Sequence, residues 1–262
     1  MPLQDRPQHR QRVLRAQAIV LRHRDWGEAD RILGLFTLEM GKVQAIAKGV
    51  RRPRSRKSGH LEPFTHVKLL LARGRNLAII TQAEAIDQFT SLREDMLLTT
   101  YASYVVELLD RFTYEEGENR GLFRLLRNTL ARLCSPDKPE LVLRYYELRL
   151  LDLVGFRPQL YTCVRCETEI QAQDQFFSAQ GGGVLCPNCG ARVAGSKPVS
   201  LVALKYLRHF QRSSYDQASR ASLSAPINKE MERLMEHYFT YLLERSLNTP
   251  EFIRRVRRET DN

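Results

Sequence analysis

The sequence predicts a multidomain α+β protein: an N-terminal five-stranded OB-fold barrel, then an all-α helical domain interrupted by a zinc ribbon. Three observations carry this expectation. Five short runs rich in β-branched and apolar residues precede residue 90, and from Ser91 the apolar spacing lengthens toward about 3.6. Four of the five cysteines then fall into two C-x2-C pairs. With 262 residues and 43% hydrophobic content the chain suits two or three modest domains, each with its own core. The divisions expected are a disordered extension over 1–12, the barrel over 13–88, helices over 89–158, the ribbon over 159–197, and further helices with a basic tail over 198–262.

The barrel strands are expected at Val13–Leu21, Arg31–Thr37, Lys42–Ala47, His66–Ala72 and Leu77–Ala85. Short turns and one long loop fit an OB fold, whose open face and loops hold single strands; an SH3-like barrel fits the strand count nearly as well. Glu39, Met40 and Gly41 supply the turn of the second hairpin. Beyond it Lys48, Arg51, Arg52, Arg54, Arg56 and Lys57 follow without one acid, and Gly49, Pro53 and Ser55 break any helix. Such a loop is suited to track a phosphate backbone, although charge runs also occur as solvated linkers. The first connection holds Arg22, Arg24 and Trp26, the only tryptophan. A ring flanked by arginines can clamp a base; the competing reading is a turn residue that caps the barrel core.

The formal net charge is +11 and sits at the N-terminal end. Residues 1–85 carry 17 Lys and Arg against 7 Asp and Glu, and the remainder carries 24 against 23. That imbalance concentrates polyanions, which makes nucleic acid the first candidate partner. A membrane-surface protein would add a basic amphipathic helix or a lipidation signal, and the N-terminus offers neither. Without an apolar leader or a run of membrane-spanning length, a cytoplasmic location with no membrane association is expected.

From Ser91 the helical period takes over. Ser91 and Glu94 have capping-box spacing, and Leu97, Tyr101, Tyr104, Val105, Leu108 and Phe112 share a face. A second helix is expected from near Asn119 to Leu133, and a third over Pro139–Val154 with Gly155 at its stop. On the second, Arg120, Arg124 and Arg127 border an apolar face, which suggests a groove for an acidic, hydrophobic peptide; a solvated face is the plainer reading. After the ribbon Ser200 caps a helix through Gln211, and Pro226 opens a longer one bearing Met231, Leu234, Met235, Tyr238 and Leu242. The final Arg254, Arg255, Arg257 and Arg258 read as a frayed basic terminus that can add phosphate contacts.

Cys163 and Cys166, then Cys186 and Cys189 after 19 residues, form the most specific pattern in the chain. Two C-x2-C turns bring four thiolates onto one ion, and a four-sulfur shell leaves no open position for water, so a structural Zn(II) is expected. Phe176, Phe177 and the Gly181–Gly183 turn suggest a small hairpin between them. A deaminase zinc site needs a His-x-Glu element, and no His lies between His66 and His209.

The segments GEADRILGLFTLEMGKVQAIAKGVRRPRSR (27–56), LEPFTHVKLLLARGRNLAIITQAE (61–84) and GGGVLCPNC (181–189) resemble the bacterial DNA repair protein family RecO. The resemblance implies an OB-fold, a helical domain and a zinc-ribbon insert, the latter with cysteines that not every member keeps. It also implies a mediator of recombination, nucleoid-associated in the cytoplasm, that anneals single-stranded DNA coated by single-strand-binding protein. The implied partners are single-stranded and duplex DNA, RecR, the acidic C-terminal tail of single-strand-binding protein and, indirectly, RecA. No catalytic constellation competes: six residues separate Gly34 from Gly41 where a P-loop needs four, and Val43 replaces its Ser or Thr. The chain is therefore expected not to be an enzyme. A zinc-containing nuclease and an RNA-binding protein of the translation apparatus remain the alternative classes, the latter distinguished by preference for a 2'-OH.

Overall fold

The computed structural model describes residues 13–113, 117–135 and 137–260. The extension over 1–12, with its expected disorder, lies outside the described residues. The chain forms two compact units. One comprises the chain up to Phe89 with a short stretch ending at Phe123, and the other comprises Thr90–Thr113 and Arg124–Asn262.

Five strands build the first unit: β1 (Val13–Trp26), β2 (Asp30–Thr37), β3 (Gly41–Ala47), β4 (His66–Ala72) and β5 (Ala78–Asp87). They close in the order β1-β2-β3-β5-β4, with β1 pairing both β2 and β4 and with β3 parallel to β5. This is the OB closure, and it decides against the SH3-like arrangement that strand counting left open. Alternation sends Val20, Leu33, Leu35, Ala45, Val67, Leu69 and Ile80 into a shared core. β1 runs five residues beyond its expected end at Leu21. A register shift between Val20 and Arg22 breaks the in–out alternation there while the pairing continues, so the sequence looks like a strand end when it is a bulge. The hairpin between β2 and β3 turns on Gly41 at φ +70; a Cβ there would lie 2.2 Å from the Gly117 carbonyl oxygen. The cationic loop is fastened at both ends, because Val50 and Leu61 are fully buried in the barrel core.

The second unit begins with α1 (Ser91–Glu94) and α2 (Met96–Phe112). The expected capping box at Ser91 and Glu94 marks only the short α1, whose N-cap is Thr90 without a side-chain bond. Asp95 stays extended between the two helices, and its carboxylate accepts from the Leu98 amide at 2.8 Å to start α2. α3 (Arg120–Leu133), which begins in the first unit, and α4 (Pro139–Leu153) follow as expected. The ribbon has β6 (Gln175–Ser178) and β7 (Gly183–Leu185) around the triple-glycine turn, then α5 (Pro187–Gly190) and a further strand, β8 (Lys197–Val199), paired to β6.

The chain ends with α6 (Leu201–Arg212), the single-turn α7 (Tyr215–Ala218), α8 (Ala225–Leu243) and α9 (Thr249–Thr260). Helices α6 and α8 pack back on α4, and α9 packs on α2. The expected frayed terminus is thereby corrected. Ile253 and Val256 are buried, the Thr249 amide and hydroxyl bond to Glu107 at 3.0 and 2.6 Å, and Arg257 reaches Glu232 at 2.8 Å. A two-residue apolar edge suffices once acids on other helices receive the cations.

Candidate nucleic-acid interface and metal centre

One end of the barrel carries Trp26 and the arginines that precede it on β1. Trp26 stands at the end of β1, opposite Asp30, and is 51% exposed. It therefore does not cap the core, as the competing reading held. The Arg24 guanidinium lies 5.2 Å from the centre of its ring. Arg22 lies flat across β2, where a Cβ on Gly34 would come within 3.2 Å of it, and with Arg24, Gly34 and Gln44 it lines a shallow hollow of about 100 Å³.

The cationic loop is tied to this end. Arg51 Nε pairs with Asp25 at 3.2 Å, its guanidinium donates to the Gly27 carbonyl at 3.3 Å, and its amide donates to the Ala29 carbonyl at 2.9 Å. The Gly49 amide donates to Asp30 at 2.7 Å. Lys57 turns inward, and its ammonium donates to the carbonyls of Lys48 at 3.2 Å and Ile80 at 3.1 Å. Burial lowers the Lys57 pKa, with the Asp30 charge opposing. Lys48, Arg52, Arg54 and Arg56 remain exposed, without an ion pair among the described residues. The loop thus divides into two residues that hold it and four that face solvent.

Sequence reading missed the residues beneath it. Arg31 bonds Asp25 at 3.1 Å and Glu62 at 2.9 Å, and His23 bonds Glu62 at 3.2 Å. Burial raises the Glu62 pKa, but Arg31 and His23 outweigh it and hold the carboxyl below its ordinary value. Asp25 is thus shared by Arg31 and Arg51, joining the Trp26 strand to the loop. Arg56 and Lys57 also border a groove of about 750 Å³ over β1, β4 and β5, where Arg15 and Lys68 add positive charge and Glu39 and Glu84 negative. The outward position of Lys68 within an apolar strand was its only sequence signal.

All three arginines of the suggested peptide groove are exposed on α3. Arg120 pairs with Glu118, Arg127 donates to Asn128 at 3.0 Å, and Arg124 has no partner among the described residues.

The structure brings the four ribbon cysteines together, with all sulfurs within 4.8 Å of one another. Cys166 and Cys186 stand 3.8 Å apart, too far for a disulfide at about 2.05 Å. They match the edge of a tetrahedron with metal–sulfur bonds of about 2.3 Å. The Cys186 amide approaches Cys163 Sγ at 3.4 Å, and the Thr168 hydroxyl lies 3.0 Å from Cys166 Sγ. That hydroxyl leads the influences that bring the Cys166 thiol down to about 6, while burial and neighbouring thiols push Cys189 up to about 12. The second knuckle needs Gly190, since a Cβ there would enter the Phe176 ring at 2.3 Å. The site fits a metal ion held by four sulfurs.

Fold and sites together define a two-unit protein, in which an OB barrel with a cationic end precedes a helical unit carrying a four-sulfur ribbon. The family models described as "Recombination protein O N terminal" and "Recombination protein O C terminal" match residues 12–89 and 93–251. A DNA repair protein RecO of Roseiflexus is 40% identical over 95% of this chain and 87% of its own length. The RecO of Symbiobacterium thermophilum is 37% identical over 91% of this chain and 96% of its own, and that of Bacillus pumilus 32% over 87% and 88%. The chain belongs to the RecO family of DNA repair and recombination proteins. Among the described residues no helix is long and apolar enough to cross a membrane.

Proposed function

We propose that this protein is a non-enzymatic recombination mediator. It binds and anneals single-stranded DNA coated by single-strand-binding protein, also engages duplex DNA, and helps RecR load RecA. The observation that supports this reading is the Arg51–Asp25 tie, which joins a loop bearing four further exposed cations to the strand that carries the exposed Trp26–Arg24 pair. Such a surface combines phosphate neutralisation with a platform for a base. In this reading Arg22, Arg24, Trp26, Lys48, Arg52, Arg54 and Arg56 touch the strand. Arg51 and Lys57 position the loop. Cys163, Cys166, Cys186 and Cys189 hold a structural Zn(II), because a shell completed by sulfur offers no place for substrate. The α3 face with Arg120, Arg124 and Arg127 receives the acidic tail of single-strand-binding protein. The protein works in the cytoplasm, at the nucleoid.

The test is annealing of complementary strands precoated with single-strand-binding protein, without Mg(II) or ATP. Annealing supports the mediator. Loss of DNA on adding Mg(II) would identify a nuclease instead, and preference for RNA over DNA of the same sequence would identify a 2'-OH reader.

A further inference from the structure

A second basic site lies in the helical unit. Between β8 and the first half of α8 runs a groove of about 740 Å³. Lys229, Arg233 and His237 line it at four-residue intervals along α8, about 6 Å per step, and Lys197 faces it from β8. Its floor includes the buried Val199 and Leu234.

Two acids, Asp174 and Glu230, also line the groove, but their hydrogen bonds point them at the start of α6 rather than at the cations. Glu230 accepts from the Ser200 amide at 2.6 Å and hydroxyl at 2.8 Å, and Asp174 accepts from the Leu201 amide at 2.8 Å, so both serve the start of α6. Glu232 is paired with Arg257 at 2.8 Å and Glu236 with Arg254 at 2.7 Å. Lys197, Lys229, Arg233 and His237 have no hydrogen-bond or ion-pair partner among the described residues. Burial, then the charge on Lys197, lowers the His237 pKa.

We propose that this groove binds the phosphodiester backbone of a second nucleic-acid strand. The inference rests on the mediator reading, in which an annealing protein must hold two strands while the barrel end accounts for one. A regular row of cations suits a chain of successive phosphates. A peptide finds less: β8 is an edge strand of three residues, and Pro198 at its centre has no amide proton to pair with an added strand.

The test compares full-length wild type with Lys197→Ala/Lys229→Ala/Arg233→Ala and with the cationic-loop variant Lys48→Ala/Arg52→Ala/Arg54→Ala/Arg56→Ala. A labelled thymidine homopolymer saturates the first site, a second strand is titrated, and annealing is followed separately. Three neutralised phosphates make second-strand affinity of the wild type fall about 20-fold between 50 and 200 mM salt. The groove variant is expected to keep the first strand, to lose the second with its salt dependence, and to anneal slowly, while Arg233→Lys retains all three behaviours. All three replaced side chains are exposed, and thermal unfolding at the wild-type temperature confirms that the variant is folded. A groove variant with wild-type second-strand affinity and salt slope overturns the proposal. So does a pattern in which an acidic peptide, but no strand, shields Lys197 and Lys229 from acetylation. A wild type that binds one strand and no second removes only the groove. A wild type that binds no strand removes the mediator reading as well.

Discussion

Lys57 differs from the cations before it in where its ammonium ends: it caps two backbone carbonyls, those of Lys48 and Ile80. Replacing it with Met leaves both carbonyls short of a donor, and a stability loss on the order of 1 kcal/mol is expected with no change in the salt dependence of strand binding. The four solvent-facing cations behave in the opposite way. If each neutralises one phosphate, affinity falls about 50-fold between 50 and 200 mM salt, and the variant with Ala at Lys48, Arg52, Arg54 and Arg56 binds more weakly and with a flatter slope. Trp26→Ala separates the remaining contribution, with a loss of about 1 to 3 kcal/mol in binding and an unaltered slope, because stacking releases no counterion. A titration series over salt for the three variants, with urea unfolding of the Lys57 variant, checks all of these. A four-Ala loop with wild-type affinity and slope would move the strand onto other basic residues such as Arg15 and Lys68. Only composition was legible here: the loop's six cations stand together in sequence, but which two are tied down depends on Asp25 and Ile80, whose positions relative to the loop only the closed barrel sets.

At the scale of elements, the parts found from sequence are those whose signal is local. The two C-x2-C turns, the Gly181–Gly183 hairpin and the Ser200 cap each lie within a few residues, and each forms as expected. Strand β8 and helix α9 escaped because their reasons are distant. The three residues of β8 include a proline and count as a strand only once β6 is beside them, and α9 depends on Glu107 and Glu232 far upstream. The ribbon's sheet is small, with strands of three or four residues, and metal affinity in modules of this kind is folding free energy. Cys163→Ser or Cys189→Ser is therefore expected to lower both metal content and melting temperature, read by elemental analysis and calorimetry on the same preparation. Strand binding by the barrel in protein that remains folded should change little. A variant with full stability that has lost all annealing would contradict a structural role for the metal.

Across the whole molecule the excess positive charge lies toward the N-terminus, whereas residues 86–262 are nearly balanced, and Arg144 and Glu147 meet deep in the core of the helical unit. Glu147 is fully buried and accepts from Arg144 at 2.8 Å and from the Tyr104 hydroxyl at 2.7 Å, while its second oxygen has no partner. Burial raises its pKa to about 7, against the opposing charge of Arg144. An ordinary carboxyl, as in the unfolded chain, titrates near 4.5. Between those values the folded protein keeps a proton that the unfolded chain has shed, so unfolding releases a proton and stability declines as pH rises. The decline is at most about 1.4 kcal/mol per pH unit and ends once the folded carboxyl has ionised. Glu147→Gln keeps an acceptor oxygen for Tyr104 and Arg144 and never ionises. Its stability relative to wild type should rise from about pH 5 to about pH 7 and then level, while every other titrating group cancels between the two proteins. Urea unfolding of both at several pH values measures the difference. A difference that stays constant across the window would mean that Glu147 is ionised throughout, with Arg144 outweighing burial in the core of the helical unit.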